Sequence, residues 1–148
     1  MAGNDPKRLE DSVRASEPAD DLVLLLRGGT DTKDKFLRHT GDMADRYTYR
    51  GLSARGISLF AAHGELGERA VLGSRMATYK GYYRLAPGAA GELGLLLPTF
   101  TAPHWTLLFE PSESDSPRPL SDLLDELLAI LGPLLENPKF VKPDAGRR

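Results

Sequence analysis

At 148 residues, with 41% apolar and 27% charged residues, the chain has the length and composition of one globular domain with a genuine core. A net charge of −2 supplies no global field to draw it onto nucleic acid or an anionic membrane, so there is no strong nucleic-acid signal. The absence of cysteine excludes disulfides, thiolate zinc sites, iron–sulfur clusters and cysteine nucleophiles.

Residues 1–10 contain no apolar run, so no signal peptide is expected, and no stretch is long enough to span a bilayer. With no need for cross-links, the cytoplasm is the expected compartment. Residues 1–20 mix charge, Pro and Ser without apolar periodicity and are expected to be a disordered lead-in to a domain over 21–141. Residues 22–26 (LVLLL) form a continuous apolar run ended by Arg27-Gly28-Gly29, the pattern of a central strand covered on both faces.

A helix follows. Thr30, Asp31 or Thr32 can cap its start, and Phe36, Leu37, Thr40, Met43, Ala44 and Tyr47 form one stripe at helical spacing. Lys33, Lys35, Arg38, Asp42, Asp45 and Arg46 fall largely on the other side. Residues 57–61 predict a second strand, 65–77 a weaker helix, 82–85 a third strand, 94–97 a fourth and 104–109 a fifth. Residues 111–119 (PSESDSPRP) have linker composition. Leu120, Leu123, Leu124, Leu127, Leu128 and Leu131 then predict an amphipathic helix over 120–131, stopped by Gly132-Pro133. Asn137-Pro138-Lys139-Phe140 can close the fold, and 142–148 are expected to be a disordered tail. The expected fold is a single α+β domain, a small mixed sheet with the C-terminal helix packed on it.

Arg27, Gly28 and Gly29 lie where a central strand gives way to a helix. Glycines there permit a turn and close approach of a ligand, the helix start presents free N–H groups to an anion, and Arg27 adds a bidentate donor. The alternative is a plain strand-to-helix turn, since the Gly-Lys-Ser/Thr ending of a phosphate loop is missing. Arg38-His39 and the run Tyr47-Thr48-Tyr49-Arg50-Gly51 flank the same helix; tyrosine beside arginine can stack a base and hold its phosphate, or form an amphipathic edge, the reading favoured for Tyr47 on the apolar stripe, while Tyr49 and Arg50 stay open. Ser58 faces the opposite side of its strand from Ile57 and Leu59, and it lacks a nucleophile elbow, so serine hydrolysis is not expected. The three histidines, His39, His63 and His104, have no metal-ligand spacing, and no metal site is expected. His104 opens the last strand, where a general base or a structural histidine can sit.

The order of these features resembles the R-S-E type of ADP-ribosyltransferase over residues 22–110: Arg27 at the end of LVLLLRGG, Ser58 in GISLF, and Glu110 after HWTLLF. The resemblance implies NAD as cofactor-substrate, Arg27 as its anchor, Glu110 as the group acting on the nicotinamide ribose, and a role as the toxin of a bacterial toxin–antitoxin pair. The Ser-Thr-Ser string and the Glu/Gln-x-Glu context of that family are absent. The chain is also similar to uncharacterised actinobacterial proteins, which implies no activity. Two functions follow as expectations. One is a nucleotide- or phosphate-handling domain, with Arg27, Gly28, Gly29, His39, Tyr49 and Arg50 binding and Glu110, Ser58 and His104 catalytic. The other is a non-catalytic module, an antitoxin, immunity protein or regulatory subunit, meeting a protein partner or a second copy through the leucine helix.

Overall fold

The computed structural model describes residues 5–14, 24–29, 32–62, 65–109 and 119–142. The linker expected at 111–119 lies outside these residues up to 118, as do residues 143–148 of the expected tail. The fold is α+β. A six-stranded sheet is built from β2 (Leu24–Gly28), β5 (Gly56–Ala62), β6 (Gly81–Leu85), β7 (Leu95–Pro98), β8 (His104–Leu108) and β9 (Leu135–Glu136), in the order β7-β8-β5-β2-β6-β9. All its ladders are antiparallel. A second sheet joins β1 (Lys7–Arg8), β3 (Tyr47–Tyr49) and β4 (Leu52–Ser53), and its β1–β3 ladder is parallel.

The part of the LVLLL run within the described residues, Leu24–Leu26, does take an internal position, between β5 and β6. One face of the main sheet carries Leu25, Ile57, Leu59, Trp105 and Leu107. It is covered by α1 (Lys33–Arg46) through Phe36, by α3 (Pro87–Gly91) through Ala90, and by α4 (Leu120–Ile130) through Leu123, Leu124 and Leu127. The other face carries Leu26 and Ala62 under α2 (Glu65–Leu72) and the Met76 turn that follows. Each buried leucine of α4 contributes roughly 1.5–3 kcal/mol before chain entropy is counted. No described helix is long and apolar enough to cross a membrane.

Thr32 caps α1 by accepting the Lys35 N–H at 3.2 Å. The helix passes around the end of the sheet: Phe36 packs on the α4 face, while Met43 and Tyr47 pack with Leu9, Ala54 and Leu108 on the other. Leu37, expected on the apolar stripe, is 41% exposed, because the buried stripe runs through Phe36 and Thr40 instead.

The lead-in expected to be disordered is ordered over residues 5–14. A 3₁₀ turn (Leu9–Ser12) buries Leu9 completely, Val13 bridges Thr99, and the Arg14 N–H donates to Pro98 O at 2.7 Å. One buried leucine and a few backbone bonds anchor this segment, a pattern without the repeat that periodicity detects.

Two polar clamps tie α2 and its exit to the sheet. The Glu68 carboxylate is buried and accepts from Tyr82 OH at 2.7 Å and from Arg84 Nε and Nη2 at 2.8 and 3.0 Å. Asn137, directly after β9 (Leu135–Glu136), ties the turn after α2 through hydrogen bonds from its Nδ2 to Met76 O and Tyr79 O. The turn also carries Tyr79, whose ring lies over Gly28 so closely that a Cβ there would meet Tyr79 Cδ2 at 2.5 Å. Gly28→Ala is therefore expected to cost about 1–3 kcal/mol in urea melts, and much less on a Tyr79→Ala background. Equal costs on both backgrounds would contradict the packing.

Candidate functional site: a basic groove where two strands part

The β2–β5 ladder runs from Leu24↔Ala62 to Leu26↔Phe60 and stops. Past that point β2 stays with β6, to Gly28↔Tyr82, while β5 stays with β8, back to Gly56↔Leu108. The two strands therefore part, and a wedge opens beside residues 56–59 of β5. Gly29, with φ +88°, turns β2 out of the sheet, in a conformation that favours glycine.

Arg27 bridges the wedge. It is 8% exposed, its Nη1 donates to Ser58 O at 2.8 Å, its Nη2 donates to His39 Nδ1 at 2.6 Å, and its guanidinium lies over the Phe36 ring at 5.4 Å. A guanidinium only donates, so His39 Nδ1 accepts and the imidazole is neutral with its proton on Nε2. An arginine can sit in an internal strand because its head finds these partners while its stem packs.

The wedge widens into a groove of about 590 Å³. One wall is a single face of α1, whose Lys35, Arg38, His39, Asp42 and Arg46 recur at helical spacing. The floor is Arg27, Gly28, Gly29, Gly56 and Ser58, and the facing wall is Phe60, Tyr79, Phe100 and His104. Among the described residues that line the groove, four are cationic, Arg27, Lys35, Arg38 and Arg46, and one is a carboxylate, Asp42, in a chain whose net charge is −2. Arg38 and Arg46 are exposed and have no ion-pair partner among the described residues. Their charge stays available to a ligand in a concave setting, where the cations of one wall act on it together.

The aromatic wall is held from behind. Arg14 Nη1 donates to Thr99 O at 2.6 Å and His104 O at 2.9 Å, and the Phe100 N–H donates to Ser12 O at 2.8 Å. The His104 ring meets Phe100 and Phe60 edge-on at 5.1 and 5.7 Å, and its Nδ1 is 2.9 Å from Thr99 Oγ1, which in turn lies 2.7 Å from Thr106 Oγ1. Burial, aided by the nearby charges of Arg75 and Arg14, pushes His104 down to about 4.

In the unfolded chain a histidine titrates near 6.5. Between that value and the folded one, the unfolded state takes up a proton that the folded state refuses. The contribution of His104 is therefore complete above about pH 6.5 and is lost as pH falls towards 4, by about 2–3 kcal/mol. The difference in urea stability between wild type and His104→Gln should change over that window. Curves that stay parallel from pH 7 to 4 would contradict a neutral buried His104.

Six of the residues expected from sequence come together here: Arg27, Gly28, Gly29, His39, Ser58 and His104. Tyr49 and Arg50 do not. The helix ends at Arg46 and the chain turns through β3 into β4, so Tyr49 packs beside Leu9. Arg50 sits in the exposed turn at φ +52°, stacked on Tyr49 at 5.5 Å, its N–H donating to Glu10 Oε2 at 2.9 Å. Glu110 and His63 lie outside the described residues. Among those described, no cluster of His, Asp and Glu could hold a metal ion. Arg38, singled out beside His39, also lines the groove, while sequence reasoning missed Lys35, Arg46, Phe100 and Tyr79. The charged side of α1 was a usable signal for the first two; nothing local marked the aromatic pair. No protein-family model, curated protein or solved structure matches this chain, so the site stands on its own chemistry.

Proposed function

We propose that this chain is a phosphate-handling domain that binds a phosphate-bearing small molecule in the groove between β2, β5 and α1. The observation that carries this reading is the cationic face of α1, Lys35, Arg38 and Arg46, turned with Arg27 into one concavity of an otherwise acidic chain. ADP-ribosyl transfer, which the sequence resemblance implies, adds a second requirement, a carboxylate at the groove. Glu110 is its candidate and lies outside the described residues, while Asp42 is an exposed side chain of α1. The supported reading is accordingly binding. The interaction-module reading drew on the leucine stripe of α4; Leu123, Leu124 and Leu127 are buried in this chain's own core, so that reading rests only on the incomplete catalytic set.

Arg38→Ala with Arg46→Ala removes two exposed charges and no buried contact. Pyrophosphate titrated calorimetrically at low salt is expected to bind wild type saturably. The double variant should bind at least about tenfold more weakly, since one charge-assisted hydrogen bond is worth roughly 1.5–3 kcal/mol. Its melting temperature should be unchanged. No saturable binding by wild type, or equal binding by both proteins, removes the proposal.

A further inference from the structure

We infer that the ligand is a nucleotide lying lengthwise in the groove, phosphates at Lys35, Arg38 and the Arg27–His39 pair, base on the Phe100–His104 wall. This rests on the phosphate reading and goes further by assigning a chemistry to each end of the groove. The cations of Lys35 and Arg38 lie on the first half of α1. The aromatic end lies at the opposite end of that helix, because the Phe100 ring meets Tyr47, the residue after α1, at 5.6 Å. From Arg38 to Tyr47 is nine residues, ~13 Å along the axis. A compact anion such as sulfate uses one end only; a molecule with a phosphate and a planar ring uses both.

Phe100 is the independent observation. It lines the groove, is 36% exposed, and has φ +59°, a left-handed conformation that a phenylalanine adopts at a cost of roughly 1–3 kcal/mol. The chain sustains that conformation with the Ser12 and Arg14 contacts and so keeps a large apolar ring at the groove rather than in the core. A ring held in that way is a stacking platform, and base–aromatic stacking is worth about 1–3 kcal/mol.

Calorimetric titrations of the full chain with pyrophosphate, ADP and GDP test this, in wild type and in Phe100→Gly. Glycine removes the ring and also suits the left-handed backbone, so relief of backbone strain offsets the lost ring contacts and the variant should fold. At least one of the two nucleotides is expected to bind about tenfold or more tightly than pyrophosphate. In Phe100→Gly that advantage should disappear while pyrophosphate affinity stays the same; Phe100→Tyr, which keeps a ring, should retain it. Pyrophosphate binding with no nucleotide advantage overturns the nucleotide inference and leaves the phosphate reading standing. Failure of all three ligands overturns both. A nucleotide advantage that survives Phe100→Gly overturns the assignment of the base to this wall. Tighter binding of a short oligothymidylate than of any nucleotide, falling steeply with salt, overturns it in favour of single-stranded nucleic acid.

Discussion

Asn137→Asp is expected to lower stability by about 4 kcal/mol, enough to consume much of the margin of a domain this size. Asn137 is 3% exposed, and its Nδ2 points at three carbonyls, donating to Met76 O and Tyr79 O at 3.0 Å each and approaching Leu72 O at 3.4 Å. Its Oδ1 accepts from the Lys139 N–H at 2.8 Å, and its own N–H donates to Lys80 O at 2.8 Å. An aspartate has the same shape but no amide hydrogens. It would set a buried carboxylate against carbonyl oxygens that all present negative ends, and it would orphan them as well. The turn it secures carries Tyr79, so the effect should reach the groove. Urea melts at pH 7 should show a lower midpoint, and lowering the pH should recover part of the loss as the carboxyl takes a proton. A midpoint within experimental scatter of wild type would show that this side chain is not the clamp described.

Arg27→Met should produce the largest functional effect, a loss of pyrophosphate affinity of about a hundredfold, with stability lowered by about 2–3 kcal/mol. Methionine keeps much of the stem that packs near Phe36 but removes the donor to Ser58 O and the contact at His39 Nδ1. Loss of the guanidinium removes a positive charge and a fork of donors, so the floor changes in charge and in shape. Arg27→Lys should not rescue binding, because one ammonium cannot span Ser58 O and His39 Nδ1 in the fork geometry of a guanidinium. Calorimetry and urea melts on the same preparations separate the two losses. Wild-type affinity in Arg27→Met would exclude Arg27 from the site.

Much of this architecture is written in local patterns. A five-residue apolar run bounded by Arg-Gly-Gly can only be a strand covered on both faces or a buried helical piece, and its length favours the strand. The leucine spacing at 120–131 demands a partner surface, which the sheet supplies. What escaped is of a different kind. The strands β1, β3, β4 and β9 are two or three residues long and have no period to detect. The order of residues 5–14 depends on Leu9 meeting Ala54 and Leu108, a contact that only the folded chain makes.

The site was half legible for a related reason. Arg27, Gly28, Gly29 and His39 are close in sequence to one strand-to-helix junction, so their meeting could be anticipated. Phe100 and Tyr79 reach the groove through two separate loops, each held by long-range bonds to residues 12–14 and 137. The wedge itself arises because β2 follows β6 while β5 follows β8, and no single segment encodes that divergence. Tyr49 and Arg50 went the other way: near the helix in sequence, they are carried off by the turn that follows it.

The central claim is that anionic ligands occupy this groove, and backbone amide shifts report it directly. Pyrophosphate added to isotopically labelled protein at low salt should move the amides of Gly28, Gly29, Ser58 and residues 35–46 in a saturable way, while those of Asp122–Ile130 on α4 stay still. Shifts scattered over surface lysines and arginines without saturation, or confined to residues remote from α1, would contradict it.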